Sequence, residues 1–111
     1  MSYRSFLDVD IVKAFVPMAR EIGVSEAARS KRGFVAAYTA AGKHEVLGED
    51  WKARRSQVLE RHASDAGNLW HGGVPTRQHL MLIMWAYSPT PERLVRFLEA
   101  RKKAAASQAE G

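Results

Sequence analysis

The apolar residues of this chain recur mostly at intervals of three and four positions, in blocks separated by glycine and proline. This spacing places apolar side chains on one face of an α-helix, and no segment shows the two-residue alternation typical of a strand. We predict five helices, over residues 8–22, 25–41, 49–66, 76–88 and 91–103. The fold class that we expect is all-α, a compact orthogonal bundle.

Capping residues set the predicted helix boundaries. Gly23 can supply a left-handed C-cap, Thr76 an N-cap, and Pro91 the first position of the last helix. Residues 80–87 are apolar on every side of a helix, so we expect the fourth helix to lie at the centre of the bundle. Pro17 falls inside the first pattern and predicts either a kink or a division into two short helices.

The chain has 111 residues and no cysteine. We expect a single helical domain over residues 1–103 and a frayed tail over 104–111. The longest apolar run has eight residues, far fewer than the roughly 20 that span a bilayer, and no secretory signal is visible at the N-terminus. The missing thiols exclude disulfides and thiolate metal sites and fit a reducing, cytoplasmic location.

The formal net charge of +5 is unevenly distributed. Residues 29–62 carry eight bases against four acids, and residues 89–111 carry five against three. A basic face attracts polyanions, and nucleic acid is the usual partner of such a face. Ordinary solubility charge explains the same excess, so both interpretations stay open at this point.

The corner formed by Ala19, Gly23 and Ser25 resembles the turn of a helix-turn-helix motif, in which a small residue allows close helix approach and glycine makes the turn. The second helix of that motif lies in the major groove of DNA. It would here present Arg29, Lys31 and Arg32. The motif has apolar residues four and seven positions after the serine, where this chain has arginines, so a plain helix–glycine–helix corner is the alternative.

A second group of bases follows Trp51 on the third predicted helix. Its members are Lys52, Arg54, Arg55 and Arg61. Arginine forks bind phosphates in a bidentate manner, and an indole can stack on a base, so the group suits nucleic acid. Alternatively, Trp51 anchors the helix in the core and the bases form a solvated face, paired with acids of the same helix.

Catalytic and metal-binding patterns are weak. No two of the four histidines, His44, His62, His71 and His79, stand four residues apart on one predicted helix, and we predict no metal and no cofactor. No phosphate-binding glycine loop and no nucleophile motif is present, so we expect a protein that is not an enzyme.

The segment from residue 67 to 75 carries Trp70, Gly72 and Gly73, and a tryptophan beside a conformable loop is common at protein interfaces. The sequence thus leaves two hypotheses. The first is a small basic module that contacts nucleic-acid phosphates with low sequence specificity. The alternative is an assembly module in which Trp70 meets an acidic protein partner or a second copy of the chain.

Overall fold

The computed structural model describes residues 6–62 and 68–110. The elements in this part of the chain are α1 (Val9–Ile22), α2 (Glu26–Arg29), α3 (Phe34–Ala41), α4 (Glu49–His62), β1 (Trp70–His71), β2 (Val74–Pro75), α5 (Arg77–Ile83) and α6 (Pro91–Glu110). Most of the described residues are helical, which confirms the predicted all-α class. A short 3-10 turn, His44–Val46, precedes α4.

The core lies where α1 packs against α5 and the turn that follows it. Phe15, Leu80 and Met84 are fully buried there, so the apolar run of residues 80–87 occupies the centre as predicted. The helix itself ends earlier than predicted, at Ile83. Trp85 and Ala86 donate to carbonyls three residues back, and Ala86 takes a left-handed φ of 60°, so the chain turns tightly instead of continuing to residue 88.

The first helix is continuous across Pro17, which is exposed, so the predicted division into two helices does not occur. Gly23 ends it with a φ of 82° and donates to the carbonyl of Ala19, as its predicted role as a C-cap requires. Val12, Phe15 and Ala19 form the buried side of α1.

The second predicted helix is interrupted, and the prediction of one helix over residues 25–41 is wrong. The chain forms α2, leaves it at Ser30 and starts α3 at Phe34. Gly33 permits the interruption, because a Cβ atom there would meet the carbonyl oxygens of Ala27 and Ala28, the second at 2.5 Å. Only glycine lets the chain pass this close to α2 and insert Phe34 into the core.

The segment before α5 forms a β-hairpin that the sequence did not predict. Trp70 pairs with Pro75 and His71 with Val74, in antiparallel register. Gly72 and Gly73 form the turn with φ values of 59° and 79°. Two successive glycines with positive φ are typical of a two-residue hairpin loop. The strands have only two residues each, too few to show the alternation that predicts a strand.

The last helix is longer than predicted, since α6 continues to Glu110. Residues 104–110, which belong to the predicted tail, are therefore helical. The three alanines at 104–106 favour this, because alanine has the highest helix propensity. The described part of α4 ends at His62, and the predicted continuation to residue 66 lies outside the described residues.

Candidate nucleic-acid interface

Trp51, in the first turn of α4, connects two segments that are distant in the sequence. Its indole is half-buried and meets Phe34 edge-on, with 6.1 Å between the ring centroids. Phe34 is the first residue of α3, so this contact joins the start of α3, directly after the loop of residues 30–33, to the first turn of α4. One basic group of the sequence precedes this contact along the chain, and the other follows Trp51 on α4.

Arg54 and Arg61 lie on the same flank of α4. They are seven residues apart, so their directions differ by only about 20° and their positions by about 10 Å along the helix. Both are exposed, and the guanidinium carbon of Arg54 stands 5.0 Å from the centroid of the Trp51 ring. Among the described residues no carboxylate oxygen lies within 4.0 Å of either guanidinium, so the predicted pairing with acids of the same helix does not occur for them.

Arg55 is not part of this surface, and its prediction as an exposed phosphate contact is wrong. The residue is 2% exposed, and its guanidinium lies over the Phe6 ring at 3.7 Å. Its Nε donates to the carbonyl of Trp85 at 2.7 Å, and its Nη2 donates to that of Ala86 at 3.0 Å. Arg55 therefore fastens α4 to the turn after α5.

The other residues predicted to contact phosphate differ in their exposure and in their contacts within the chain. Lys31 and Arg32 are exposed in the loop between α2 and α3. Arg29 is half-buried, and its Nε donates to the carbonyl of Val24 at 2.8 Å. Lys52 is half-buried and lies 3.5 Å from a carboxylate oxygen of Glu49. We call the exposed bases of the two groups, Lys31, Arg32, Arg54 and Arg61, together with Trp51, the Trp51 surface.

The corner that resembles a helix-turn-helix lacks the second helix that such a motif needs. After Gly23, Ser25 takes a left-handed φ of 55° without capping α2, which has only four residues. Lys31 and Arg32 follow the end of this helix and lie in a loop. A four-residue helix makes little more than one turn, so the corner offers no recognition helix for a groove.

Trp70, the predicted centre of a protein interface, is engaged within the chain. Its indole Nε1 donates to Thr90 at 3.2 Å, its ring meets His79 and Phe97 edge-on, and the Arg93 guanidinium covers it at 4.2 Å. Gly72 and Gly73 are exposed at the hairpin turn. The hairpin thus presents its turn to solvent, and its tryptophan holds it against α5 and α6.

A buried polar pair that the sequence did not indicate lies behind the hairpin. The imidazole Nδ1 of His79 donates to the carbonyl of Leu69 at 3.0 Å, so its Nε2 accepts from the hydroxyl of Ser88 at 2.7 Å. Burial lowers the pKa of His79, the nearby Arg93 charge lowers it further, and the bond to Leu69 acts in the opposite direction. With His79 fully buried, the pair connects the hairpin to the start of α6 rather than opening to a substrate.

Opposite charge gathers at another place on the molecule. A cleft of about 380 Å³ is lined by Asp8, Asp10 and Glu45 together with Lys43 and His44. The Phe6 ring stacks on His44 in this cleft, with 4.9 Å between centroids. Its carboxylates repel phosphate. A variant at this cleft therefore serves as a control for variants of the basic surface.

Among the described residues, no group of three histidine, aspartate or glutamate side chains is placed to hold a metal ion. In the same part of the chain, no helix is both long and apolar enough to cross a membrane. No protein-family model matches the chain. Searches of curated proteins and of solved structures likewise give no match.

Proposed function

We propose that this protein is a small, non-enzymatic binding module that contacts the phosphates of nucleic acid through the Trp51 surface. The observation that carries the proposal is that the exposed Arg54 guanidinium lies against the half-buried Trp51 ring, which also contacts Phe34, the residue that follows the other exposed basic segment. Guanidinium groups bind phosphate oxygens in a bidentate manner, and bases clustered on one face add to one another's attraction for a polyanion.

The contacts of Arg54 and Arg61 with the rest of the chain support their availability. Arg54 lies over the Trp51 ring, and neither Arg54 nor Arg61 makes a side-chain hydrogen bond or ion pair with the described residues. Within the described chain, a phosphate that approached either one would therefore break no salt bridge and would displace water and counterions. Release of counterions is the main source of affinity in such contacts.

Low sequence specificity follows from the same arrangement. Sequence is recognised by side chains that reach base edges from a helix or ribbon in a groove, and phosphate contacts carry no such information. Lys31 and Arg32 lie in a loop, and Arg54 and Arg61 lie on the exposed flank of α4, an arrangement that suits phosphate contacts. We therefore expect binding to oligonucleotides of unrelated sequence with similar affinity.

The test is fluorescence anisotropy with labelled oligonucleotides at about 50 and about 200 mM salt, a range in which phosphate contacts weaken strongly. We expect the double variant Arg54→Ala/Arg61→Ala to weaken binding to all sequences and to reduce the salt slope by about 2. Lys43→Ala is the matched control for one lost charge, because Lys43 is exposed beside the acidic cleft. Absence of binding at the lower salt, or equal effects of control and double variant, would refute the proposal.

An assembly role through the hairpin remains the alternative. Val74, beside the glycine turn, is 46% exposed, which leaves an apolar contact point at the end of the hairpin. Association through this point would depend on protein concentration and respond to Val74→Ser. If Val74→Ser leaves oligonucleotide binding unchanged and substitutions in the Trp51 surface weaken it, that result would decide against the assembly role.

A further inference from the structure

The C-terminal half of α6 extends away from the core. Leu94 is buried, Phe97 and Leu98 are partly buried, and every residue from 99 to 107 is exposed. At about 1.5 Å per residue, the stretch from 99 to 110 measures about 18 Å. The molecule is correspondingly elongated, 48 Å along its longest axis against 31 and 26 Å. Arg101 lines a cleft beside α1 and lies over the Phe97 ring at 5.6 Å, and the extension beyond it is exposed.

The residues of this extension are basic and small. Arg101, Lys102 and Lys103 follow one another, and successive residues point about 100° apart around the helix. The three bases therefore point to three sides of the helix, with Arg101 on the side of Phe97 and with Lys102 and Lys103 on the other two. Three alanines come next, at 104–106, and their short side chains leave the backbone cylinder narrow. Glu99 precedes the bases, and no ion pair joins it to them in the described part of the chain.

This composition excludes the usual apolar partners of a helix. Docking into a hydrophobic groove needs large apolar residues at spacings of three and four, and lying on a membrane needs an apolar face. Beyond Leu98 the extension has only alanine as an apolar residue. Pairing with the same helix of a second copy in parallel would bring like charges together. The complementary partner is one that presents anionic groups on more than one side.

We propose that the extension of α6 lies in the major groove of double-stranded DNA, an inference that rests on the proposed function. Phosphates line both walls of that groove, so basic side chains on opposite sides of one helix can contact phosphates at the same time. The groove of B-form DNA is about 12 Å wide and admits an α-helix, whereas that of A-form RNA is deep and narrow. A single strand has no groove walls. Only duplex DNA therefore places phosphates beside basic side chains on several sides of the helix.

The test compares binding of duplex DNA, duplex RNA and single-stranded DNA of the same sequence by anisotropy at about 50 mM salt. We expect Lys102→Ala/Lys103→Ala to weaken duplex DNA binding by about tenfold and to reduce its salt slope by about 2. Single-stranded binding, which uses the Trp51 surface, should change much less. Both lysines are exposed, so the variant should remain folded.

A second variant removes the helix and keeps its charges. Ala105→Pro would break the extension, because proline lacks the N–H and crowds the preceding turn, while Ala105→Gln preserves helix propensity. Ala105 is exposed, so neither change reaches the core. We expect the proline variant alone to lose affinity for duplex DNA, with a parallel loss of helical circular dichroism.

Two results would overturn the groove proposal and leave the Trp51 surface intact. One is equal loss of single-stranded and duplex binding in the lysine variant, which would make the bases general phosphate contacts. The other is duplex RNA binding as tight as that of duplex DNA. Absence of oligonucleotide binding altogether would instead refute the proposed function itself.

Discussion

Replacement of Arg55 by alanine is the sharpest test of how α4 is attached to the fold. The guanidinium is buried, donates to the carbonyls of Trp85 and Ala86, and lies on the Phe6 ring. The Ala86 carbonyl also accepts from the Leu7 backbone at 2.7 Å, so one atom receives two donors. Arg55 thus holds together α4, the turn after α5 and the segment before α1.

The expected loss of stability follows from these contacts. A hydrogen bond from a charged donor contributes about 1.5–3 kcal/mol, and a buried carbonyl left without a partner adds to the loss. The cation–π contact with Phe6 contributes about 1 kcal/mol. Allowing for relaxation and for side-chain entropy regained, we expect Arg55→Ala to reduce the free energy of unfolding by about 3–4 kcal/mol.

Urea denaturation followed by circular dichroism measures this difference. For a chain of this length, 3 kcal/mol corresponds to a fall in melting temperature of about 10–20 °C. Arg54→Ala is the control on the same helix, and we expect it to cost less than about 1 kcal/mol because Arg54 is exposed. A loss below about 1 kcal/mol for Arg55→Ala, or equal losses for both variants, would refute the anchoring role.

Three further changes test the fold at single positions. Gly33→Ala should destabilise by about 3 kcal/mol in urea denaturation, because its Cβ would collide with backbone carbonyls of α2; a neutral result would contradict that close approach. Ser25→Gly should stabilise by about 1 kcal/mol, since Ser25 has a left-handed φ and a buried hydroxyl without a partner in the described chain; any loss of stability would count against this. For His79, the lowered pKa means that the unfolded chain takes up a proton near pH 6.5 before the folded chain does, so stability should fall as pH drops below about 6.5. His79→Gln should flatten that dependence, and an unchanged pH profile would exclude His79 as its source.

Local chemistry predicted those features of the fold that depend on neighbouring residues. Thr76 caps α5 by accepting from the backbone of His79 at 3.3 Å, and Pro91 begins α6. Gly23 ends α1 with a left-handed φ value. Each of these signals works through atoms one to four residues away, so the sequence contains the whole interaction.

The break at Gly33 depends on contacts that the local pattern does not contain. Phe34, Val35 and Tyr38 continue the apolar spacing of the preceding residues, so periodicity alone predicts an unbroken helix. The chain leaves the helix because Phe34 must reach the rings of Trp51 and Trp85, with centroids 6.1 and 5.0 Å away. Tertiary packing therefore overrides the local preference.

The apolar residues around Arg55 on α4 indicate that it is buried, although its charge suggests exposure. Trp51 precedes Arg55 by four residues, and Val58 and Leu59 follow it by three and four. These positions surround Arg55 on one face of the helix, so the thin apolar stripe of α4 has the arginine at its centre. Around the helix axis, Arg54 and Arg61 point about 100° or more away from Arg55, and Lys52 points about 60° away. Grouping the four residues by charge alone therefore placed Arg55 on a face that it does not share.

The same geometry makes the buried arginine a condition for the exposed ones. With Arg55 directed to the carbonyls after α5, the rotation of α4 about its axis is fixed, and Arg54 and Arg61 must then point to the flank beside Trp51. Loss of the Arg55 contacts would weaken the constraint on that rotation, to which the buried Leu59 and the Trp51–Phe34 contact also contribute, as well as lower stability. Arg55→Ala should therefore weaken oligonucleotide binding even when affinity is calculated for the folded fraction alone, although Arg55 itself touches no phosphate. If binding per folded molecule were unchanged, the orientation of α4 would not control the Trp51 surface.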